Sequence, residues 1–232
     1  MSEISKRLVL LQRQVRQACI FSGRNIEDVN ILAVTKSQPT SSISAALEAG
    51  QHHFGENYLQ EALPKLTSAP SPNWHFIGAI QSNKTKDIAQ NFDWVHSVDS
   101  LKVAKRLSDQ RPMCLNPLKV MIQINISEES GKAGLPPEAT LKLASEITAL
   151  PNLCLQGLMV IPALSDSFEK QRQYFRNTRE IRDYIAEILG IQLPHLSMGM
   201  TDDFKAAIIE GSTWIRIGKA IFGPRTYSGD KK

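Results

Sequence analysis

A chain of 232 residues can bury one substantial core, and its length fits either one α/β barrel or two small domains. Lys and Arg number 27 against 23 Asp and Glu, a dispersed net charge of +4 that suits a phosphate ligand but lacks the long basic, aromatic-interleaved runs of a nucleic-acid binder. Cys19, Cys114 and Cys154, without a CxxC pair, give neither a disulfide framework nor a zinc knuckle and fit a reducing, cytoplasmic setting; no stretch reaches membrane-spanning length, and Met1 to Val15 carries Glu3, Lys6, Arg7 and Arg13 where a leader would be apolar.

Ile4, Leu8, Leu11, Val15 and Ala18 recur at three- and four-residue steps, which predicts an amphipathic helix over 3–20 ended by Gly23. The first strand spans Asn30 to Lys36, an apolar run that delivers a lysine to its tip, and a short helix follows from Ser41 to Ala49. His52 to Gly55 is a second strand, with a helix from Leu59 to Leu66; Trp74 to Ile77 is a third, with a helix over 84–91. Trp94 to Val98 and the helix Asp99 to Asp109 make a fourth unit. Leu118 to Ile126 is the longest β-like run, followed by the loop Gly131 to Gly134 and a helix opened by Pro136 and Pro137.

Leu153 to Ile161 is the sixth strand, and the long helix behind it sets Phe175, Thr178, Ile181, Ile185 and Ile188 on one face. His195 to Ser197 precedes a helix over Asp202 to Glu210, and Thr213 to Ile217 precedes a last turn from Lys219 to Phe222. Eight β-then-α units imply parallel strands and right-handed crossovers. With no linker-like segment, the expectation is one domain over 1–232, a single (β/α)8 TIM barrel with an extra N-terminal helix.

In such a barrel the chemistry belongs at the C-terminal ends of the strands, and phosphate belongs at the loops after strands seven and eight. Ser197-Met198-Gly199-Met200-Thr201-Asp202-Asp203 offers a tight glycine turn and Thr201 as a helix cap, but Asp202 and Asp203 in the first helical turn would repel an anion. Further donors are available after strand eight, where Gly218 permits close backbone approach and Lys219 adds charge. Arg216, set between Ile215 and Ile217, demands either a core carboxylate or a ligand. Together with Lys36 these features suggest a phosphorylated carbonyl compound held as a Schiff base, with pyridoxal 5'-phosphate the foremost case and a sugar-phosphate aldolase similar in outline.

Six ordered motifs narrow this: Ile31-Leu32-Ala33-Val34-Thr35-Lys36; His53-Phe54-Gly55-Glu56-Asn57-Tyr58; Trp74-His75-Phe76-Ile77-Gly78 with Gln81-Ser82-Asn83-Lys84; Gly157-Leu158-Met159; Ser197 to Asp203; and Arg216-Ile217-Gly218. At their spacing the chain resembles, over nearly its whole length, the YggS/PROSC (PLPBP) family of pyridoxal-phosphate homeostasis proteins, whose fold is the alanine racemase N-terminal barrel. The resemblance implies that Lys36 forms the aldimine, that Met200, Thr201, Gly218 and Lys219 surround the phosphate, that Arg216 faces the pyridine nitrogen and that Asn57 lies near the ring, with Ser197 a weaker candidate. Thr201 and Lys219 depart from the family pattern; Thr201 keeps a hydroxyl, whereas Lys219 replaces a short donor by a long cation.

An arginine at the pyridine nitrogen disfavours a deep electron sink, and a racemase needs a second base, which the related racemases draw from a C-terminal β domain. The expectation is therefore a non-catalytic, cytoplasmic, monomeric binder with no metal, nucleic-acid or membrane partner, and the resemblance implies a carrier in vitamin B6 homeostasis that supplies pyridoxal phosphate to apoenzymes. The alternative is a pyridoxal-phosphate-dependent amino-acid racemase. His52 and His53 point to opposite faces, and His75, His96 and His195 are scattered without metal-ligand spacing. Trp74, Trp94 and Trp214 are read as core or pocket wall.

Overall fold

The structure is a computed structural model that describes residues 2–69, 72–129 and 131–224. Residues 225–232 of the expected domain, and Pro70, lie outside them. The chain forms α1 (Glu3–Ser22), β1 (Asn30–Val34), α2 (Thr40–Glu48), β2 (His53–Glu56), α3 (Leu59–Ser68), β3 (Asn73–Phe76), α4 (Thr85–Asn91), β4 (Trp94–Val98) and α5 (Leu101–Gln110). It continues through β5 (Leu118–Ile124), α6 (Thr140–Thr148), β6 (Leu153–Val160), α7 (Phe168–Leu189), β7 (His195–Ser197), α8 (Phe204–Ile209), β8 (Trp214–Ile217) and α9 (Lys219–Phe222). All eight strands are parallel, each pairs with the next, and β8 closes on β1 with Leu32 opposite Arg216. This is the expected (β/α)8 barrel.

Strand periodicity divides the core in two. Outward residues such as Phe54, Val95, Ile122, Leu158 and Ile215 pack with helix residues such as Ile88, Leu107, Ile147 and Phe175. Inward residues Leu32, Val34, Ile77, Trp94, Met121, Met159 and Trp214 form a separate interior cluster. The three tryptophans are buried, as expected of core residues. Helix α1, capped by Ser2 and by Gly23 at φ 66°, buries Leu8, Leu11, Val15 and Ala18 and lies against α2, α8 and α9.

Two boundaries and one helix face differ informatively from the sequence reading. β1 stops at Val34, because Ser37 takes a left-handed φ of 61° and draws Thr35 and Lys36 into a turn. α8 begins at Phe204 and not at Asp202; Asp203, at its N-cap position, turns its carboxylate back to accept the Met200 amide at 2.5 Å. Thr201 is thus not the cap. On α7, Ile188 is 55% exposed, so the buried face is carried by Phe175, Thr178 and Ile185.

Candidate functional site

Lys36 is held by its neighbours on both sides. Before it, Lys65 of α3 donates to the Thr35 carbonyl at 2.8 Å; after it, the Ser37 amide donates to Glu61 Oε2 at 2.9 Å. Glu61 and Lys65 are four residues apart and so share a face of α3. Lys65 also pairs with the fully buried Glu56 at 2.6 Å, and the Thr35 hydroxyl donates to the same carboxylate at 2.6 Å. Burial raises the pKa of the Glu56 carboxyl against the opposing pull of Lys65 and Thr35.

On β8, the strand paired with β1, Arg216 is fixed by carbonyls and a hydroxyl. Its Nη1 donates to Ser197 O at 2.7 Å and to Ser197 Oγ at 3.0 Å, and its Nη2 donates to Val160 O at 2.8 Å. It forms no salt bridge among the described residues, so the core-carboxylate explanation for this buried guanidinium does not hold. Burial lowers its pKa to about 10, with Asp203 pulling the other way. The guanidinium remains charged at neutral pH.

Asn57, just past β2, is set by a close backbone approach: a Cβ on Gly78 would stand 1.9 Å from the Asn57 carbonyl oxygen, so only glycine fits there. Gly199 at φ 95° turns the chain after β7, where a Cβ would meet Ala207 and Phe204.

All seven residues singled out for the site converge. Lys36, Asn57, Met200, Thr201, Arg216, Gly218 and Lys219 line one cavity of about 540 Å³ at the C-terminal mouth, completed by Val34, Gln38, Ile77, Ile161, Asp202, Gly223 and Pro224. The Asn57 Oδ1 atom is buried without a hydrogen-bond partner among the described residues, which leaves it available to a polar ligand. Three permanently or ordinarily cationic side chains against one carboxylate give the wall an anion-binding character. Ser197 is elsewhere: fully buried behind Arg216, it supports the guanidinium and does not line the cavity. The Met200 amide is already committed to Asp203, so it is not a free donor for a phosphate.

The histidines contradict the reading of them as scattered. His53 Nδ1 lies 3.0 Å from His75 Nε2, His75 Nδ1 lies 2.9 Å from His96 Nε2, and His96 Nδ1 lies 2.8 Å from Ser197 Oγ. The signal was present in the strand alternation, since His53, His75 and His96 all occupy inward positions on consecutive strands. Burial holds His75 and His96 well below the usual imidazole range, and it lowers His195 to about 4. Among the described residues no cluster of three or more His, Cys, Asp or Glu side chains is arranged to hold a metal ion, and no described helix is long and apolar enough to cross a membrane.

A closed parallel barrel whose C-terminal mouth presents a lysine and a buried arginine in one cavity defines a class, and the alanine racemase N-terminal domain family matches residues 13–226. The pyridoxal phosphate homeostasis protein of Haemophilus influenzae is 48% identical over 230 residues, covering 97% of both chains. That of Pseudomonas aeruginosa is likewise 48% identical over 230 residues, covering 98% of each. Among solved structures, PipY of Synechococcus elongatus, a COG0325 family member determined with PLP bound, superposes with a TM-score of 0.84 at 34% identity, covering 95% of this chain and all of that one. The chain belongs to the family of pyridoxal phosphate homeostasis proteins.

Proposed function

We propose that this chain binds pyridoxal 5'-phosphate at the barrel mouth through Lys36 and holds it without catalytic turnover, as a carrier in vitamin B6 homeostasis. The observation that carries the reading is the single cavity shared by Lys36, Arg216 and Asn57, whose Oδ1 has no hydrogen-bond partner among the described residues. The aldehyde of the cofactor is the electrophile that a lysine amine takes up, and its phosphate is the anion that the β7 and β8 loops would receive. Thr201 contributes a hydroxyl, and Gly218 and Lys219 contribute backbone at the start of α9. Arg216, a permanent cation pinned at two atoms, faces the ring and withholds a stable proton from the pyridine nitrogen. Asn57 offers a lone pair to a ring substituent.

Racemisation by two bases requires a second acid–base group opposite Lys36. Among the described residues that line the cavity, the titratable side chains besides Lys36 are Asp202, Arg216 and Lys219, and none is a tyrosine, histidine or cysteine. That supports a holder and release protein over an amino-acid racemase. We place it in the cytoplasm as a monomer that passes its cofactor to apoenzymes.

The test is an absorption titration of wild type and Lys36→Ala with pyridoxal phosphate, followed by incubation of the loaded protein with L-alanine. The reading predicts a new band in wild type alone and no loss of optical activity in alanine. A band in both proteins, or racemisation, would overturn it.

A further inference from the structure

The histidine chain runs the length of the barrel interior. His75, His96 and Ser197 are fully buried, and Arg216 at one end lines the Lys36 cavity. His53, half-buried at the other end, lines a second cavity of about 680 Å³ at the N-terminal face, with Arg13 and Arg16 on its wall. The contacts along the chain, 3.0, 2.9, 2.8 and 3.0 Å, are all hydrogen-bond distances.

Its direction follows from the chemistry of the groups. A guanidinium only donates, so Ser197 Oγ accepts from Arg216. The Ser197 hydroxyl proton then goes to His96 Nδ1, because the reverse arrangement would leave that buried proton without an acceptor. His96 consequently carries its own proton on Nε2 and donates to His75 Nδ1, and His75 in turn donates from Nε2 to His53 Nδ1. One residue at the cavity wall fixes the tautomer of three rings.

We propose that His53, His75 and His96 are positioning residues for Arg216: a directed hydrogen-bond chain that locks the guanidinium at the Lys36 cavity and couples it to protonation at the opposite end of the barrel. A second proton on His53, whose Nε2 already carries one, could sit only on Nδ1, where it would meet the His75 Nε2 proton head-on. Relief requires His75 and His96 each to move their proton from Nε2 to Nδ1, whereupon Ser197 accepts from both His96 and Arg216 and its own hydroxyl proton loses the acceptor that had set the original direction. One proton enters and none is lost, yet the support of Arg216 changes. Around His53 stand His52, Lys119 and Asp93; around His75, Lys119 and His195; and around His96, Arg216 and His195, so that Asp93 alone favours the added charge.

The effect on cofactor retention rests on the proposed function, whereas the tautomers do not, and the two are measured separately. Nitrogen NMR of the ligand-free protein with labelled histidine should show His75 and His96 as neutral Nε2–H tautomers at pH 7; an Nδ1–H tautomer or an imidazolium at either overturns the proposal. His53→Leu, which removes the acceptor for His75, should weaken pyridoxal phosphate binding about tenfold, and His53→Gln, whose side-chain carbonyl still accepts, should recover most of it. Equal loss in both variants, or none in His53→Leu, overturns it as well. Should wild type take up no pyridoxal phosphate, the functional reading falls and the tautomer result alone decides the chain.

Discussion

The ammonium of Lys65 donates to the carbonyl oxygen of Thr35 at 2.8 Å, clamping the peptide unit that immediately precedes Lys36. The same ammonium neutralises the buried Glu56. A helix behind the barrel thereby fixes the turn on which the site's lysine stands.

Lys65→Met should therefore act twice. It strands Glu56 as an uncompensated buried carboxylate, which costs about 3–5 kcal/mol unless the group takes up a proton, and it frees the Lys36 turn. The expected outcome in urea denaturation is a loss of that order at pH 7 that shrinks toward pH 5, because Glu56, already raised by burial, rises further without Lys65. A loss independent of pH would contradict the assignment.

Arg216→Lys keeps the charge but not the fork. One ammonium on a shorter reach cannot satisfy Ser197 O, Ser197 Oγ and Val160 O together, so a loss of about 1–3 kcal/mol in stability is expected, with weaker cofactor retention. Unchanged thermal unfolding and unchanged retention would show that the guanidinium geometry is immaterial.

Gly78→Ala places a Cβ where the Asn57 carbonyl already stands, 1.9 Å away, so Asn57 must move. Overpacking of this kind costs about 1–3 kcal/mol, and the displaced amide should loosen the cofactor without removing the Lys36 linkage. Retention equal to wild type would refute the role given to Asn57.

The interior imidazoles set an acid limit on stability. Burial depresses His53, His75, His96 and His195 below the ordinary 6.5, His195 to about 4. The unfolded chain then binds more protons than the folded one below pH 6.5, so stability is fully present above that value and falls as pH drops toward 4. Glu56, Asp99 and Asp203, raised by burial, act in the opposite sense, so the comparison is with His195→Gln, whose urea midpoint should fall less steeply over this range. Identical slopes would remove His195 from the account.

The barrel was legible because each strand is an apolar run closed by a turn and followed by a periodic helix, and parallel order follows from that alternation. The seven cavity residues were legible for a related reason: strand ends are visible in sequence, and the resemblance added their roles. What the sequence did not disclose depends on distance across the chain. His53, His75 and His96 are each about one βα unit apart, and their contact arises only when consecutive parallel strands align in register. The Asp203 carboxylate turning back to the Met200 amide, and Ser37 at a positive φ, are local bends that a helix-start pattern does not distinguish from a regular first turn.

Reduction of the protein with borohydride in the presence of pyridoxal phosphate, followed by peptide mass mapping, addresses the central claim most directly. The account predicts one phosphopyridoxyl group per chain, on the peptide that carries Lys36, and none in Lys36→Ala. Modification centred on Lys219 or Lys65, or no stable modification at all, would contradict it.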